Sequence, residues 1–287
     1  MFSLFWVKNF YIVRNTMKER SVLKQTLLTT MKIIVAGYLI ICTSLYFFQE
    51  NVIFFPEKLK ADYQFTFLQP FEEVTVRVDE NVKIHGLLFR SEAPKGVIFY
   101  LHGNAGSLRK WGNVAEPYTT LNYDVFIIDY RGYGKSGGKI SNEDILYSDN
   151  QKAYEYLKTK YDEKQIIILG YSIGTGPGAK LASDNNPKKL ILQAPYLNLA
   201  DLMQNRFPLI PTFLLKYDFP TNKYASKCQE PVVLIHGTSD GVIYYGSSVK
   251  LRKGLKPSDT LITLQNFGHN GMTSNPQYLE ALPRILR

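Results

Sequence analysis

The stretch from Ile166 to Gly174 constrains the fold of this chain more than any other. It reads Ile-Ile-Ile-Leu-Gly-Tyr-Ser-Ile-Gly, and a run of small residues from Thr175 to Ala182 follows it. An apolar run, Gly-x-Ser-x-Gly and a small-residue segment are typical of a strand, a sharp turn that carries a serine, and a helix. Glycine is needed on both sides of the serine because the doubled-back backbone leaves no room for Cβ atoms. The pattern predicts that the Ser172 hydroxyl stands at the end of a strand.

A serine becomes a nucleophile when a histidine takes its proton and a carboxylate orients that histidine. In the fold built around such a turn, the acid and then the histidine follow the serine along the chain. Of the four histidines, only His236 and His269 come after Ser172. His269 and Asp240 each lie in a loop directly after a strand-like run, which is where an open α/β sheet builds its site. Ser172, Asp240 and His269 are therefore the predicted catalytic residues, with Asp201 as the rival acid.

A second glycine-rich loop, His102-Gly103-Asn104-Ala105-Gly106, follows the apolar run 97–101. Attack on a carbonyl places negative charge on its oxygen, and two fixed backbone N–H groups have to receive that charge. In this kind of site, one donor is the residue after the nucleophile and the other comes from a loop after an early strand. The predicted oxyanion hole is accordingly formed by Ile173 and Asn104.

These motifs together resemble those of the α/β-hydrolases. Within that superfamily the chain is most similar to membrane-anchored serine hydrolases related to the yeast Bem46 protein and to mammalian α/β-hydrolase domain proteins 13 and 17. The resemblance covers about residues 50–287. It implies hydrolysis of an ester, thioester or amide bond through an acyl-enzyme, and it leaves the substrate open because one fold hosts many functions. The cysteine clusters that carry palmitate at the N-terminus of the domain 17 group are absent here. The residues that carry the resemblance are the 102–106 loop, Asp129 to Ser136, Gly170 to Gly174, His236 to Asp240, Gly268-His269 and Phe54-Phe55-Pro56.

The pattern of apolar runs predicts the α/β-hydrolase fold, with a mainly parallel sheet covered on both faces. Residues 73–78 and 82–90 alternate apolar and polar side chains and are expected to form a hairpin, and 142–161 has helical spacing. Strand-like runs lie at 96–101, 123–128, 166–169, 189–192, 231–235 and 260–264. Between Pro195 and Cys228 this alternation breaks and apolar side chains crowd together. We interpret residues 195–228 as a short lid over the serine, with ordinary helix packing on the sheet as the alternative.

Residues 33–49 are predicted to form a transmembrane signal anchor. The run Ile33 to Phe48 has no charged residue and is at the short limit for a spanning helix. Residues 1–32 carry a net charge of +5, which leaves +4 of the total of +9 for the rest of the chain. A basic flank before an apolar run indicates a cytoplasmic N-terminus, with the catalytic domain, residues 50–287, on the extracytoplasmic side. A cleaved signal peptide is the alternative.

The basic flank 1–32 shows no helix-length pattern, and Met31-Lys32 before the apolar run looks like the usual opening of an anchored protein. We therefore expect translation to start at Met31, or at Met17, so that residues up to 30 add no function. Because the excess positive charge adjoins the apolar run, we expect a membrane and no nucleic acid as a partner. The expected substrate is a small molecule, a lipid-like molecule or a peptide. Neither a metal nor a cofactor is expected.

Two other functions remain open from the sequence. Gly174, Gly176 and Ala179 fit the dinucleotide-binding pattern G-x-G-x-x-A, which would make the chain an oxidoreductase. Against this, the serine turn separates the first glycine from its strand, and no acid for a ribose ends the next strand at Gln193. A non-catalytic binding module on the same fold is the second alternative, and it would be expected to lack one of the three catalytic residues.

Overall fold

A computed structural model describes the backbone of residues 2–287 and the side chains of residues 10, 14 and 17–287. The chain divides into two units, residues 1–49 and 50–287. From Phe2 onward the first unit is helical, and it forms the larger part of α1 (Phe2–Ile53). The backbone of α1 leaves helical geometry at Phe48, where φ is −115° and ψ is 19°. Residues Met17–Ile53 are long and apolar enough to cross a membrane, so this helix is a candidate membrane span.

The second unit is built around an eight-stranded sheet. Strands β2 and β3 form an antiparallel hairpin, β3 is also antiparallel to β6, and every other pair in this sheet is parallel. The strand order is β10-β9-β8-β7-β4-β6-β3-β2, and β1 pairs separately with β5. The strands are β1 (Phe55–Pro56), β2 (Phe71–Arg77), β3 (Lys83–Phe89), β4 (Val97–Leu101), β5 (Ala105–Gly106), β6 (Asp124–Ile128), β7 (Ile166–Tyr171), β8 (Lys189–Gln193), β9 (Val232–Gly237) and β10 (Thr260–Leu264).

Within residues 50–287, eight further α-helices lie between or after these strands. Caps fix several of their starts: the side chain of Asn142 accepts a hydrogen bond from Ile145 N at the start of α4, and acids follow it in the first turn. The helices are α2 (Leu108–Trp111), α3 (Glu116–Thr119), α4 (Glu143–Lys158), α5 (Thr175–Asp184), α6 (Leu199–Arg206), α7 (Thr221–Ala225), α8 (Gly246–Lys253) and α9 (Pro276–Ile285).

The core lies on both faces of the sheet. Every residue of β4, β6 and β7 is buried, as expected for central strands that helices cover on both sides. Alternate residues of β4 belong to different faces: Phe99 packs in one apolar cluster, and Ile98 and Tyr100 pack in the other. The predicted fold class is therefore confirmed.

The strands predicted from apolar runs lie where expected, to within about two residues at either end. Two features differ from the sequence prediction. Helix α1 begins at Phe2, although residues 1–30 show no apolar periodicity; Lys, Arg, Glu, Gln and Leu there have high intrinsic helix propensity, which needs no periodic pattern. The two-residue pair β1–β5 was not predicted, because two residues are too few to carry a pattern. Position 1 itself, and with it the question of where translation starts, lies outside the described residues.

Candidate active site

Ser172 occupies the sharp turn between β7 and α5. Its φ is +54°, in the left-handed region that residues other than glycine rarely adopt. A Cβ atom at Gly170 would lie 2.4 Å from Gly174 O, and one at Gly174 would lie 2.2 Å from Leu101 O. Glycine is therefore required at both positions, as the sequence predicts. The turn packs the start of α5 against the end of β4, and the Ser172 side chain is held at the carboxyl end of the sheet.

The structure brings Ser172, His269 and Asp240 together. His269 Nε2 lies 3.0 Å from Ser172 Oγ, and His269 Nδ1 lies 2.7 Å from Asp240 Oδ2. The three side chains come from the loops after β10, β9 and β7, which meet because those strands are parallel. Tyr171 OH donates a hydrogen bond to the backbone carbonyl of His269, and so fixes the loop that carries the imidazole. This arrangement can pass a proton from Oγ to Nε2 while the carboxylate holds the imidazole in place.

Asp240 receives hydrogen bonds from two histidines. Its Oδ2 also lies 3.1 Å from His236 Nε2, and its Oδ1 accepts bonds from the backbone N–H groups of Val242 and Ile243. Burial raises the pKa of the Asp240 carboxyl, but the bonds from His236 and His269 outweigh burial, and the pKa is well below its usual range. Asp240 is therefore ionised at neutral pH.

His236 is a member of the site that sequence reasoning did not assign. Its Nε2 faces two acceptors, Asp240 Oδ2 and Ile243 O, and so carries the hydrogen. Its Nδ1 lies 2.6 Å from Ser248 Oγ and accepts from that hydroxyl. The i, i+4 spacing of His236 and Asp240 across the end of β9 was the signal that was available in the sequence.

The rival acid Asp201 lies elsewhere. It accepts a hydrogen bond from Tyr244 OH and pairs with Lys250 Nζ, both at 2.5 Å. The contact with Lys250 joins α6 to α8, and the contact with Tyr244 joins α6 to the loop before α8.

The loop that carries Asn104 is fixed from three directions. Tyr130 OH donates to His102 O at 2.8 Å, and Tyr133 OH donates to Asn104 O at 2.7 Å. Phe55 N, at the start of the β1–β5 pair, donates to Asn104 O at 2.9 Å. The segment 129–133 thus supplies two tyrosine hydroxyls whose hydrogen bonds hold the backbone of this loop in place. Nothing in its pattern assigned that role to the two tyrosines.

The direction of the Asn104 N–H depends on His102. The ring Nδ1 of His102 lies 2.6 Å from Gly103 O, the carbonyl of the peptide group that also contains Asn104 N. In a trans peptide the N–H and C=O point in opposite directions, so this contact fixes the N–H of Asn104. Burial lowers the pKa of His102 to about 4, partly offset by that backbone bond, so the ring is neutral at pH 7 with the hydrogen on Nδ1.

A buried acid lies behind this histidine. Asp129 Oδ1 is 3.8 Å from His102 Nε2, and both side chains are fully buried. Asp129 Oδ1 also accepts a hydrogen bond from Leu108 N at 3.0 Å, while Asp129 Oδ2 and His102 Nε2 have no hydrogen-bond partner. Burial raises the pKa of Asp129 to about 8.

The glycines of the dinucleotide pattern do not form an open cradle. A Cβ atom at Gly176 would lie 2.2 Å from the hydroxyl of Tyr196, and Ala179 is fully buried. A pyrophosphate needs backbone N–H groups that it can reach, and here side chains cover them. Among the residues that the structure describes, no group of three His, Cys, Asp or Glu side chains is arranged to hold a metal ion.

The predicted lid region 195–228 has two parts. Tyr217, Phe219 and Cys228 are buried in one of the two apolar clusters of the core. This is the ordinary packing on the sheet that the sequence left as an alternative. Phe207, Leu209 and Phe213 are instead exposed by 59%, 82% and 82%.

This chain is similar to known proteins in sequence and in fold. The family described as Serine aminopeptidase, S33, matches residues 92–224. Alpha/beta hydrolase domain-containing protein 17B of Homo sapiens is 31% identical over 236 residues, which are 79% of this chain and 80% of the human protein. Protein 17C of Xenopus tropicalis is 32% identical over 202 residues, or 68% of this chain and 63% of that protein.

Solved structures of other proteins have the same fold as this chain. An esterase of Pyrococcus furiosus, Pf2001, superposes with a TM-score of 0.63 at 20% identity, covering 82% of this chain and 96% of the esterase. Est1E of Butyrivibrio proteoclasticus, solved with ferulic acid, superposes with a TM-score of 0.57 at 18% identity over 74% of this chain and 96% of its own.

Proposed function

Because this chain belongs to the α/β-hydrolase superfamily, we propose that it cleaves an ester, thioester or amide bond with Ser172 as nucleophile, His269 as general base and Asp240 as the orienting acid. The observation that carries the proposal is the pair of contacts from Ser172 Oγ to His269 Nε2 at 3.0 Å and from His269 Nδ1 to Asp240 Oδ2 at 2.7 Å.

The reaction follows from these positions. Ser172 Oγ attacks the carbonyl carbon of the substrate as its proton passes to His269 Nε2. The N–H groups of Asn104 and Ile173 receive the developing charge on the carbonyl oxygen. His269 then gives its proton to the leaving alcohol, thiol or amine, and an acyl group remains on Ser172. Water, deprotonated by the same imidazole, attacks the acyl carbon and releases the acid.

The substrate we propose is apolar or amphiphilic, and the enzyme acts while held at a membrane. The candidate span in α1 supports the anchor, and the basic residues before it support a catalytic unit on the extracytoplasmic side. Protease added to intact cells should digest residues 50–287. Protection of this unit until the cells are lysed would place it in the cytoplasm.

A fluorophosphonate probe tests the catalytic assignment. We expect it to label the wild-type protein on Ser172, and we expect Ser172→Ala to lose both labelling and turnover of p-nitrophenyl esters. Ser183→Ala is a suitable control, because the Ser183 hydroxyl donates to Lys180 O within α5 and takes no part in the Ser172–His269 contact. Labelling that survives in Ser172→Ala would disprove the assignment.

A further inference from the structure

Several large apolar side chains of the segment 207–213 are exposed on the protein surface. Phe207, Leu209 and Phe213 are exposed by 59%, 82% and 82%, whereas Tyr217 and Phe219, a few residues later, are fully buried. Soluble proteins rarely gather exposed apolar side chains of this size, and such patches usually mark a contact with a membrane or another protein. We refer to Phe207, Leu209 and Phe213 as the exposed apolar patch.

The patch lies next to the catalytic loops. The guanidinium of Arg206, directly before Phe207, donates a hydrogen bond to Gly241 O, the residue after Asp240. The neighbouring side chain of Val242 is half exposed. The exposed apolar patch therefore belongs to the carboxyl end of the sheet, where Ser172 also lies.

Residues 50–53, with which the catalytic unit begins, make contacts at this same end of the sheet. Glu50 Oε1 accepts hydrogen bonds from Tyr217 OH at 3.3 Å and from Lys216 Nζ at 3.5 Å. Asn104 Nδ2 donates to Ile53 O at 3.2 Å. The long apolar run of the candidate span ends at Phe48, only two residues before Glu50, so chain connectivity keeps these contacts close to the surface of any bilayer that holds the span.

The charges beside the patch suit a lipid surface. Arg206 precedes it, Lys216, which pairs with Glu50, follows it, and no acidic residue lies between Arg206 and Lys216. Basic residues next to exposed aromatic and aliphatic side chains are typical of segments that lie in the headgroup region at a membrane surface.

We propose that the exposed apolar patch inserts into the lipid interface of the bilayer in which α1 is anchored, so that the substrate's acyl chain reaches Ser172 from the membrane. This inference rests on the proposed membrane anchoring and narrows the proposed substrate to molecules that are themselves embedded in lipid. The ring of Phe213 and the side chain of Leu209 enter the boundary between headgroups and acyl chains, while Arg206 stays among the headgroups.

Fluorescence quenching by lipid tests the insertion. The full chain is reconstituted in vesicles of phosphatidylcholine and phosphatidylglycerol with brominated acyl chains, and the signal of wild-type Trp6 and Trp111 is subtracted. We expect the fluorescence of Phe213→Trp to fall at least twofold. Gln229→Trp is the matched control, because Gln229 is exposed and precedes β9 at the opposite end of the sheet. It should not be quenched.

Activity on two kinds of substrate tests the consequence. The double variant Phe207→Ser with Phe213→Ser changes only exposed side chains, so we expect its turnover of soluble p-nitrophenyl butyrate to stay within about twofold of wild type. Its turnover of p-nitrophenyl palmitate presented in the same vesicles should fall at least tenfold.

The outcomes separate the two proposals. Equal, negligible quenching of Phe213→Trp and Gln229→Trp overturns the insertion, whatever the activity is. A Phe213→Trp that is shielded from brominated lipid and also from aqueous acrylamide means that a protein, such as a second copy of this chain, covers the patch, which overturns it as well. If fluorophosphonate labelling survives in Ser172→Ala but Phe213→Trp is quenched, the catalytic assignment fails and the insertion stands.

Discussion

Asp240 is the residue whose charge the site stabilises most. Four donors surround its two oxygens: His236, His269 and the backbone N–H groups of Val242 and Ile243. They compensate for burial and keep the pKa of Asp240 below its usual range. Stability that depends on this ionised carboxylate is present above the pKa of an unfolded Asp, about 3.9, and is lost as the pH falls below it towards the folded value.

The charge of Asp240 leads to a prediction about turnover. In Asp240→Asn the neutral amide no longer stabilises the imidazolium and can favour the wrong tautomer of His269, so we expect kcat to fall by roughly 10³–10⁴-fold. Asp201→Asn is the control, since Asp201 contacts Tyr244 and Lys250. Its kcat should stay within about twofold of wild type. Steady-state kinetics on p-nitrophenyl butyrate measures both, and a greater loss in Asp201→Asn would reverse the assignment.

Gly174 is predicted to tolerate no side chain. The Cβ of Gly174→Ala would lie 2.2 Å from Leu101 O, which is backbone and cannot move aside, so we expect a loss of at least the ~1–3 kcal/mol typical of overpacking. Gly178 lies one turn further along α5, where the nearest atoms to an added Cβ are 3.6 Å away. Gly178→Ala should keep or raise the melting temperature, because alanine favours helix by about 1 kcal/mol over glycine. Thermal melts of the two variants that coincide would contradict this.

Among the elements, the small β1–β5 pair supports the proposed oxyanion loop. Phe55→Pro removes the N–H that donates to Asn104 O, while Phe55→Ala keeps it and changes only a half-exposed side chain. One oxyanion donor is worth about 2.7–4 kcal/mol, and a loosened loop forfeits part of that. We expect kcat of Phe55→Pro to fall about tenfold or more with little change in KM, and Phe55→Ala to resemble wild type. Equal kcat values for the two would show that the pair does not position Asn104.

The sequence predicts elements well where one face or both faces are buried. The strands β4, β6 and β7 are continuous apolar runs because helices cover both sides of the sheet, and their burial is complete. The pair β1–β5 escaped prediction because its partners are fifty residues apart and neither has a period. The segment 207–213 was recognised as apolar, but composition does not reveal which of its side chains face the core. That depends on where α6 ends and on the contact of Arg206 with Gly241.

For the molecule as a whole, the buried pair Asp129 and His102 couples folding to protonation. Unfolded, Asp129 is ionised at neutral pH. In the folded protein, burial and a smaller effect of Glu57 raise its pKa to about 8, although the Leu108 N–H and Lys58 oppose the rise. The folded state therefore holds an extra proton at pH 7. A raised pKa gives stability that is present at low pH and is lost as the pH rises through the folded value.

Thermal stability should accordingly decline from about pH 5 to about pH 8, between the pKa of an unfolded Asp and the folded value, and level off above it. The free energy of unfolding changes by at most ~1.4 kcal/mol per pH unit for one group. In Asp129→Asn the side chain cannot ionise, and its amide can donate to His102 Nε2, so the decline should become shallower than in wild type. Melting curves of both proteins in detergent across this range measure the difference. Parallel curves would show that Asp129 is already ionised in the folded protein at pH 7.

The strand order has a consequence for how this protein is made. From β7 onward, each strand joins the free edge left by the one before it: β8 on β7, β9 on β8 and β10 on β9. Domains begin to fold from the N-terminal side during synthesis. A ribosome that has released β7 has already delivered Ser172 and the 102–106 loop, but Asp240 needs β9 and His269 needs β10. The nascent protein can thus hold a folded centre for some time before β10 and the loop that follows it complete the proposed catalytic site.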